Sequence, residues 1–173
     1  MHIARLTGAA ALAFLSAVAV AQTGKLTDPQ IAHIAYTAGV IDVEAAKLAL
    51  TKSKNKEVVA FAQDMVRDHE AVNQKALALV TKLKVTPEDN DTSKSLVKQA
   101  ETERTSLAKL DGGAFDKAYV ANEVAYHKTV NGALQSTLIP GSSNEELKAL
   151  LSTGLKIFKG HEQHAEQLAG TLK

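Results

Sequence analysis

The sequence contains no cysteine and no tryptophan among its 173 residues, and aromatic residues make up 4% of the chain. Without a thiol, the chain can form no disulfide, hold no metal through thiolates and use no cysteine nucleophile. The scarcity of aromatic residues and the abundance of alanine suit closely packed helices better than a β-sandwich.

The chain also lacks a strong charge of either sign. It carries 20 Lys and Arg residues against 19 Asp and Glu residues, and Arg5 belongs to an N-terminal segment predicted to be removed, which leaves 19 against 19. A neutral chain gives no electrostatic reason to expect nucleic acid or an anionic membrane as a partner. The sequence has no Gly-rich phosphate loop and no nucleophile elbow. These absences favour a binding protein, and the class of enzyme that they leave open is a metal-dependent oxidoreductase.

Residues 1–21 have the pattern of a secretory signal peptide. A short positive start over residues 1–5 precedes an apolar run over residues 6–20, and small residues end the segment at Ala21. The run is about 15 residues long, which is shorter than the roughly 20 residues that a transmembrane helix needs. We therefore predict cleavage between Ala21 and Gln22 and a periplasmic or secreted protein, with an uncleaved membrane anchor as the alternative. The remaining residues, 22–173, are predicted to form one domain without a membrane span.

A helical seam organises the stretch 55–84. Its members recur at alternating steps of four and three: Val58, Ala62, Met65, His69, Val72, Ala76, Leu79 and Leu83. This spacing is typical of one side of a helix that packs in a bundle. Similar stripes predict long helices over about 27–52, 114–137 and 143–172, and a shorter helix over 92–110. No segment alternates apolar and polar residues in the way that is typical of a β-strand. The sequence therefore predicts an all-α, up-down four-helix bundle with one additional short helix.

Each of the four long predicted helices carries an imidazole or a carboxylate near its midpoint. His69 and His161 interrupt otherwise apolar seams, and His127 lies on the apolar face of its helix with Glu123 one turn before it. Glu44 borders the apolar stripe of the first helix. Midpoints of antiparallel helices lie at similar heights, so these groups can meet in one core layer. The predicted ligands of a transition metal ion (Zn, Fe, Cu or Mn) are therefore Glu44, His69, Glu123, His127 and His161.

A structural interpretation of the same residues remains open. Glu44 can be a solvated helix residue, and Glu123 can simply pair with His127. In that alternative the polar layer is a hydrogen-bonded network inside a non-catalytic structural or envelope-stress interaction module. Helix geometry places Asp68 away from the neighbouring seam histidine, and His164 is expected at the surface.

Two further residues near the predicted site are expected to have other roles. Tyr126 adjoins His127 in the sequence but is expected to point elsewhere, because neighbouring residues of a helix face different directions. His33 lies near the end of its predicted helix and is interpreted as structural or exposed.

The order of these residues resembles a bacterial family of exported proteins of unknown function with a ferritin-like fold, whose members are often labelled outer membrane proteins. The matching pieces cover nearly all of the mature chain: residues 39–44, residues 61–69, residues 115–119, His127 and His161. The resemblance implies a four-helix bundle with an extra short helix. It also implies that Glu44, His69, His127 and His161 are recurring polar residues of the core.

The sequence departs from the di-iron ferritins in one respect that bears on chemistry. Those proteins carry Glu-x-x-His on two helices. Here Val66, Val124 and Phe158 stand three residues before the three histidines. The departure argues against a carboxylate-bridged di-iron centre, ferroxidase activity and iron storage. It favours a mononuclear or histidine-rich site.

Overall fold

The structure is a computed structural model that describes residues 25–172. Its helices are α1 (Asp28–Lys52), α2 (Lys56–Leu83), α3 (Asp91–Ala108), α4 (Gly112–Ala133), α5 (Ile139–Gly141) and α6 (Glu145–Thr171). A π-helical turn, Leu134–Leu138, joins α4 to α5. The predicted signal peptide and its cleavage site lie outside the described residues.

Local sequence explains where the long helices begin and end. Thr27 caps α1 and exchanges hydrogen bonds with Gln30, which forms a capping box. The Asn55 and Asn144 side chains accept hydrogen bonds from the first backbone amides of α2 and α6. Lys84 takes the left-handed conformation, with φ of 54°, and ends α2.

Contacts between helix ends fix the direction of each helix. Asp28, at the start of α1, accepts hydrogen bonds from Ser143 and Asn144, which immediately precede α6. Lys52, at the end of α1, contacts the Ala108 carbonyl and the Asp111 carboxylate between α3 and α4. Hence α1 and α6 run in one direction, and α2 and α4 run in the other. The helix α3 carries the chain back along α1 between them.

The four long helices α1, α2, α4 and α6 therefore pack as a bundle, with α3 as the crossover. This confirms the predicted all-α four-helix bundle with one additional helix. A bundle with a single long crossover is the arrangement of ferritin-like folds. None of the helices in the described part of the chain is long and apolar enough to cross a membrane.

The helix that the sequence predicts over 114–137 continues further along the chain than expected. Helix continues from α4 through the π-helical turn to Gly141, and the Ile139 amide donates its hydrogen bond five residues back, to Leu134. Pro140 has no amide hydrogen and would crowd the carbonyl four residues before it in a regular helix. The wider turn relieves that conflict without ending the helix.

The core consists of two apolar clusters at opposite ends of the bundle. One contains Phe61, Phe115 and Tyr119, each with an exposed fraction of 0%. The other contains Ile31 and Leu134, near the starts of α1 and α6. Between the two clusters, polar side chains replace apolar ones. That polar layer is where the predicted site residues meet.

Candidate metal centre

All four bundle helices contribute to the polar layer. Its buried members are Asp42 from α1, His69 and Asn73 from α2, Glu123, His127 and Asn131 from α4, and His161 from α6. The exposed fraction is 1% for His69 and for His127 and 0% for Glu123. Buried groups of this kind destabilise a fold unless hydrogen bonds or a bound ion compensate for their lost hydration.

The three histidines form a triangle. The ring centroids of His69 and His127 are 5.7 Å apart, those of His69 and His161 are 5.3 Å apart, and those of His127 and His161 are 5.7 Å apart. One nitrogen from each ring lies within 4.8 Å of the other two. Because metal–imidazole bonds are about 2.0–2.1 Å long, a single ion at the centre can draw such a triangle together.

Two of the imidazoles are oriented by contacts on one side and open on the other. His127 Nδ1 lies 3.0 Å from the Glu123 carbonyl oxygen, and His161 Nε2 lies 3.0 Å from the Asp68 carboxylate. Among the described residues, no hydrogen-bond partner exists for His127 Nε2, for His161 Nδ1 or for either ring nitrogen of His69. Imidazoles that bind metals are typically held in this way, with a carbonyl or carboxylate on the nitrogen that does not face the ion.

Two carboxyl groups lie beside the triangle. Asp42 Oδ2 is 3.6 Å from His69 Nε2, and Glu123 Oε2 is 3.6 Å from His127 Nδ1. Asp42, Glu123 and His127 also form a second group whose ligand atoms lie within 4.8 Å of one another. The layer thus offers imidazole and carboxylate ligands to an ion at adjoining positions.

Burial controls the charge of these groups. It raises the pKa of Glu123 to about 8. Burial and the neighbouring Glu123 carboxylate raise the pKa of Asp42 well above its ordinary value. Burial also lowers the pKa of His127 to about 4 and the pKa of His69 well below its ordinary value. At neutral pH the imidazoles are therefore uncharged, which is the form that binds metal ions.

The structure corrects the position expected for Glu44. Its carboxylate is at the surface, with an exposed fraction of 48%, and forms an ion pair with Arg104 of α3. Positions 42 and 44 are separated by about 200° around the helix axis. Asp42 therefore supplies the acidic group of α1 to the layer, and Glu44 faces away from it.

A second correction concerns Asp68, which the sequence places away from the site. Its carboxylate contacts His161 on the neighbouring helix and is also bonded to Arg67, whose guanidinium is the main cause of its lowered pKa. Tyr126 behaves as expected, because its hydroxyl donates to the Ala38 carbonyl rather than to a histidine. His164 is exposed, as predicted.

A family model described as "Domain of unknown function (DUF4142)" matches residues 14–168. The chain belongs to the DUF4142 family. The match agrees with the resemblance to a family of unknown function, and it carries no outer-membrane label.

A solved structure resembles this DUF4142 bundle at the level of fold. It is a crystal structure from Streptomyces coelicolor whose protein is described provisionally as secreted and as DUF305. The TM-score is 0.65 at 13% sequence identity, over 82% of this chain and 88% of the other chain. Identity this low supports the shared fold and no functional assignment. A search of curated proteins finds no match.

Two asparagines of the layer were not predicted as site residues. Asn73 lies four residues after His69 and Asn131 lies four residues after His127, so each is one turn further along the same helix face. The Asn131 amide donates to Glu162 at 2.8 Å. Asn73 lies against Gly39 of α1, where an added Cβ would be 2.3 Å from the Asn73 side-chain oxygen. Glycine at position 39 therefore makes room for the polar layer.

The shifted acidities predict how pH affects the metal-free protein. Because the pKa of Glu123 rises to about 8 on folding, the folded chain holds a proton that the unfolded chain releases above its ordinary pKa. The protonated Glu123 side chain therefore adds its full share to the free energy of unfolding below about pH 4.3, the ordinary pKa of glutamate. That share decreases as the pH rises and is lost by about pH 8. The buried imidazoles act in the opposite direction, because folding lowers their pKa values. Their share of the free energy of unfolding is lost as the pH falls below about 6.5, where the unfolded histidines gain a proton.

Between pH 6.5 and 8, we therefore expect the free energy of unfolding to fall in metal-free protein, and urea denaturation at several pH values measures this slope. Glu123→Gln is expected to make the slope shallower. Glu44→Gln, which removes an exposed carboxyl from α1, is the matched control and keeps the wild-type slope. Equal slopes in the wild type and in the Glu123 variant would contradict the protonation assigned here.

Proposed function

We propose that this protein is an exported, ferritin-like four-helix bundle that binds a transition metal ion through His69, His127 and His161. The supporting observation is that three helices bring imidazole nitrogens together in a buried layer, where four of the six ring nitrogens have no hydrogen-bond partner among the described residues. Burying several polar groups in this way lowers the stability of the protein, and a bound ion is the simplest compensation.

The two buried carboxyl groups extend this proposal. Asp42 and Glu123 are the fully buried acidic groups beside the imidazoles, and either can release its proton when a cation binds nearby. A set of imidazoles and carboxylates suits Zn, Cu, Fe and Mn, whereas Mg and Ca prefer oxygen ligands alone. With such ligands we expect Cu(II) to bind more tightly than Zn and Zn more tightly than Mn.

The proposed location is the periplasm or the extracellular space. It is supported by the signal-peptide pattern of residues 1–21 and by the secreted description of the protein from Streptomyces coelicolor. N-terminal sequencing of the protein after expression with its own leader tests this proposal. We expect the mature chain to begin at Gln22.

Metal titration tests the binding proposal. We expect metal-free protein to bind one Zn or Cu(II) ion per chain with saturation in calorimetry, and we expect His161→Ala to weaken binding at least about 100-fold, since it removes a ligand. His164→Ala is the matched control, because it removes an exposed imidazole from the same helix three residues later. Wild-type affinity in the His161 variant would contradict the proposal.

A specific observation also supports the structural alternative. His161 Nε2 already has a partner in Asp68, and His127 Nδ1 has one in the Glu123 carbonyl, so part of the layer is hydrogen-bonded without an ion. In that alternative the domain is a non-catalytic interaction module. Its melting temperature would then be indifferent both to added metal and to chelator.

A further inference from the structure

A cavity of about 650 Å³ lies in one half of the bundle. This half extends from the polar layer to the starts of α1 and α6. Its inner end is formed by Asp42, His69 and Asn73, and its outer end is formed by Lys25 and Gly141. All four bundle helices contribute to its walls, which are mostly aliphatic. The cavity therefore connects the polar layer with one end of the bundle.

A cavity of this size is unusual for packing alone. Protein interiors are close-packed, and voids larger than a water molecule are few. Apolar walls give water few hydrogen-bonding partners, so they hold it poorly. The volume falls within the range of about 300–1,000 Å³ that is typical of small-molecule sites. These properties indicate a binding site for an apolar compound.

The inner end of the cavity indicates which part of such a compound is polar. His69 has an exposed fraction of 1%, and neither of its ring nitrogens has a hydrogen-bond partner among the described residues. Asn73 adds an amide beside it, and Asp42 adds a carboxyl group. An anionic end would lie against the Asp42 carboxyl, whereas a hydroxyl can both donate and accept hydrogen bonds there.

We propose that the cavity binds a straight-chain alcohol, with its hydroxyl at Asp42, His69 and Asn73 and its alkyl chain along the bundle axis. From His69 to Val80, the last α2 residue that lines the cavity, eleven residues of helix span about 16 Å. An extended chain of about 12 carbon atoms fits this length. The proposal goes beyond metal binding, because it depends on the cavity and its polar end and not on an ion.

Equilibrium dialysis with dodecanol, dodecane and laurate tests this proposal on metal-free and zinc-loaded protein. We expect one dodecanol per chain, bound at least tenfold more tightly than dodecane or laurate. Asn73→Leu, which leaves the proposed metal ligands intact, should remove the preference for dodecanol over dodecane. Absence of dodecanol binding, or equal binding of dodecane, would overturn the proposal.

Blocking variants separate this proposal from the metal site. Ala76→Phe places a ring in the cavity wall, and Ala78→Phe places the same ring on the exposed side of α2 as a control. We expect at least a tenfold loss of dodecanol binding in the first variant, none in the second, and unchanged zinc binding in both. Leu150→Trp fills the cavity with a larger side chain from α6 and provides a second test if Ala76→Phe folds poorly. Undiminished dodecanol binding in a folded blocking variant would overturn the assignment to this cavity.

Discussion

His69→Leu is expected to remove high-affinity metal binding and to make the metal-free protein more stable. The imidazole is the one polar member of the seam that α2 presents to the core, and its ring stacks on Phe158 with a centroid separation of 4.3 Å. A buried polar group without partners costs about 1–3 kcal/mol, and leucine removes that cost. The loss of one imidazole should lower metal affinity at least about 100-fold, since even an outer-shell partner is worth 10- to 100-fold.

Denaturant unfolding with and without zinc measures both effects. For the wild type, zinc at about 100 times its dissociation constant should add about 2.7 kcal/mol to the free energy of unfolding. The leucine variant should begin higher without zinc and gain nothing from it. His164→Leu, on the exposed side of α6, should keep the full response to zinc. A less stable leucine variant with wild-type metal affinity would contradict the role assigned to His69.

Phe61→Ala is expected to destabilise the protein by about 3–5 kcal/mol, which is the usual cost of emptying a packed aromatic site. Phe61 has an exposed fraction of 0%, and its ring centroid lies 6.3 Å from that of Tyr119 and 5.1 Å from that of His164. Phe61 belongs to the apolar cluster at the other end of the bundle and does not line the cavity of about 650 Å³. For a chain of this size, the melting temperature should fall by about 10 °C or more.

Phe158→Ala is the matched comparison, because the same ring is removed from the wall of the cavity. Phe158→Ala removes fewer contacts than Phe61→Ala, because one side of the Phe158 ring already faces the cavity. We therefore expect it to lower the free energy of unfolding by less. Differential scanning calorimetry on the two metal-free variants measures the difference. Equal losses would contradict the description of one tightly packed half and one hollow half.

The histidine triangle could be predicted from the sequence because of its spacing. His69, His127 and His161 each lie three, four or seven residues from apolar side chains that the structure buries. A helix that packs in a bundle presents such positions inward, so the helical period alone places the three imidazoles in the core. Their convergence required similar heights, which the antiparallel packing of α2 with α6 and of α6 with α4 provides.

The acidic member from α1 could not be chosen from spacing in the same way. The helix α1 contacts α2, α3 and α4, so it buries more than one stripe of residues. The stripe that contains the large residues Ile34 and Ile41 is easy to recognise in the sequence, whereas the other stripe is not. That second stripe consists of small residues and Asp42: Gly39, Ala46 and Ala49. Asp68 was missed for a related reason, because α6 packs beside α2 and contacts a residue next to the seam.

The position of the metal ion is the most direct test of this account. Crystals of the mature protein grown with zinc or copper, and measured at the absorption edge of the metal, would show the ion as an anomalous difference peak. We expect one peak in the buried layer, about 2.0–2.1 Å from nitrogens of His69, His127 and His161. A peak confined to surface residues, or an empty layer in fully loaded crystals, would contradict the proposed metal centre.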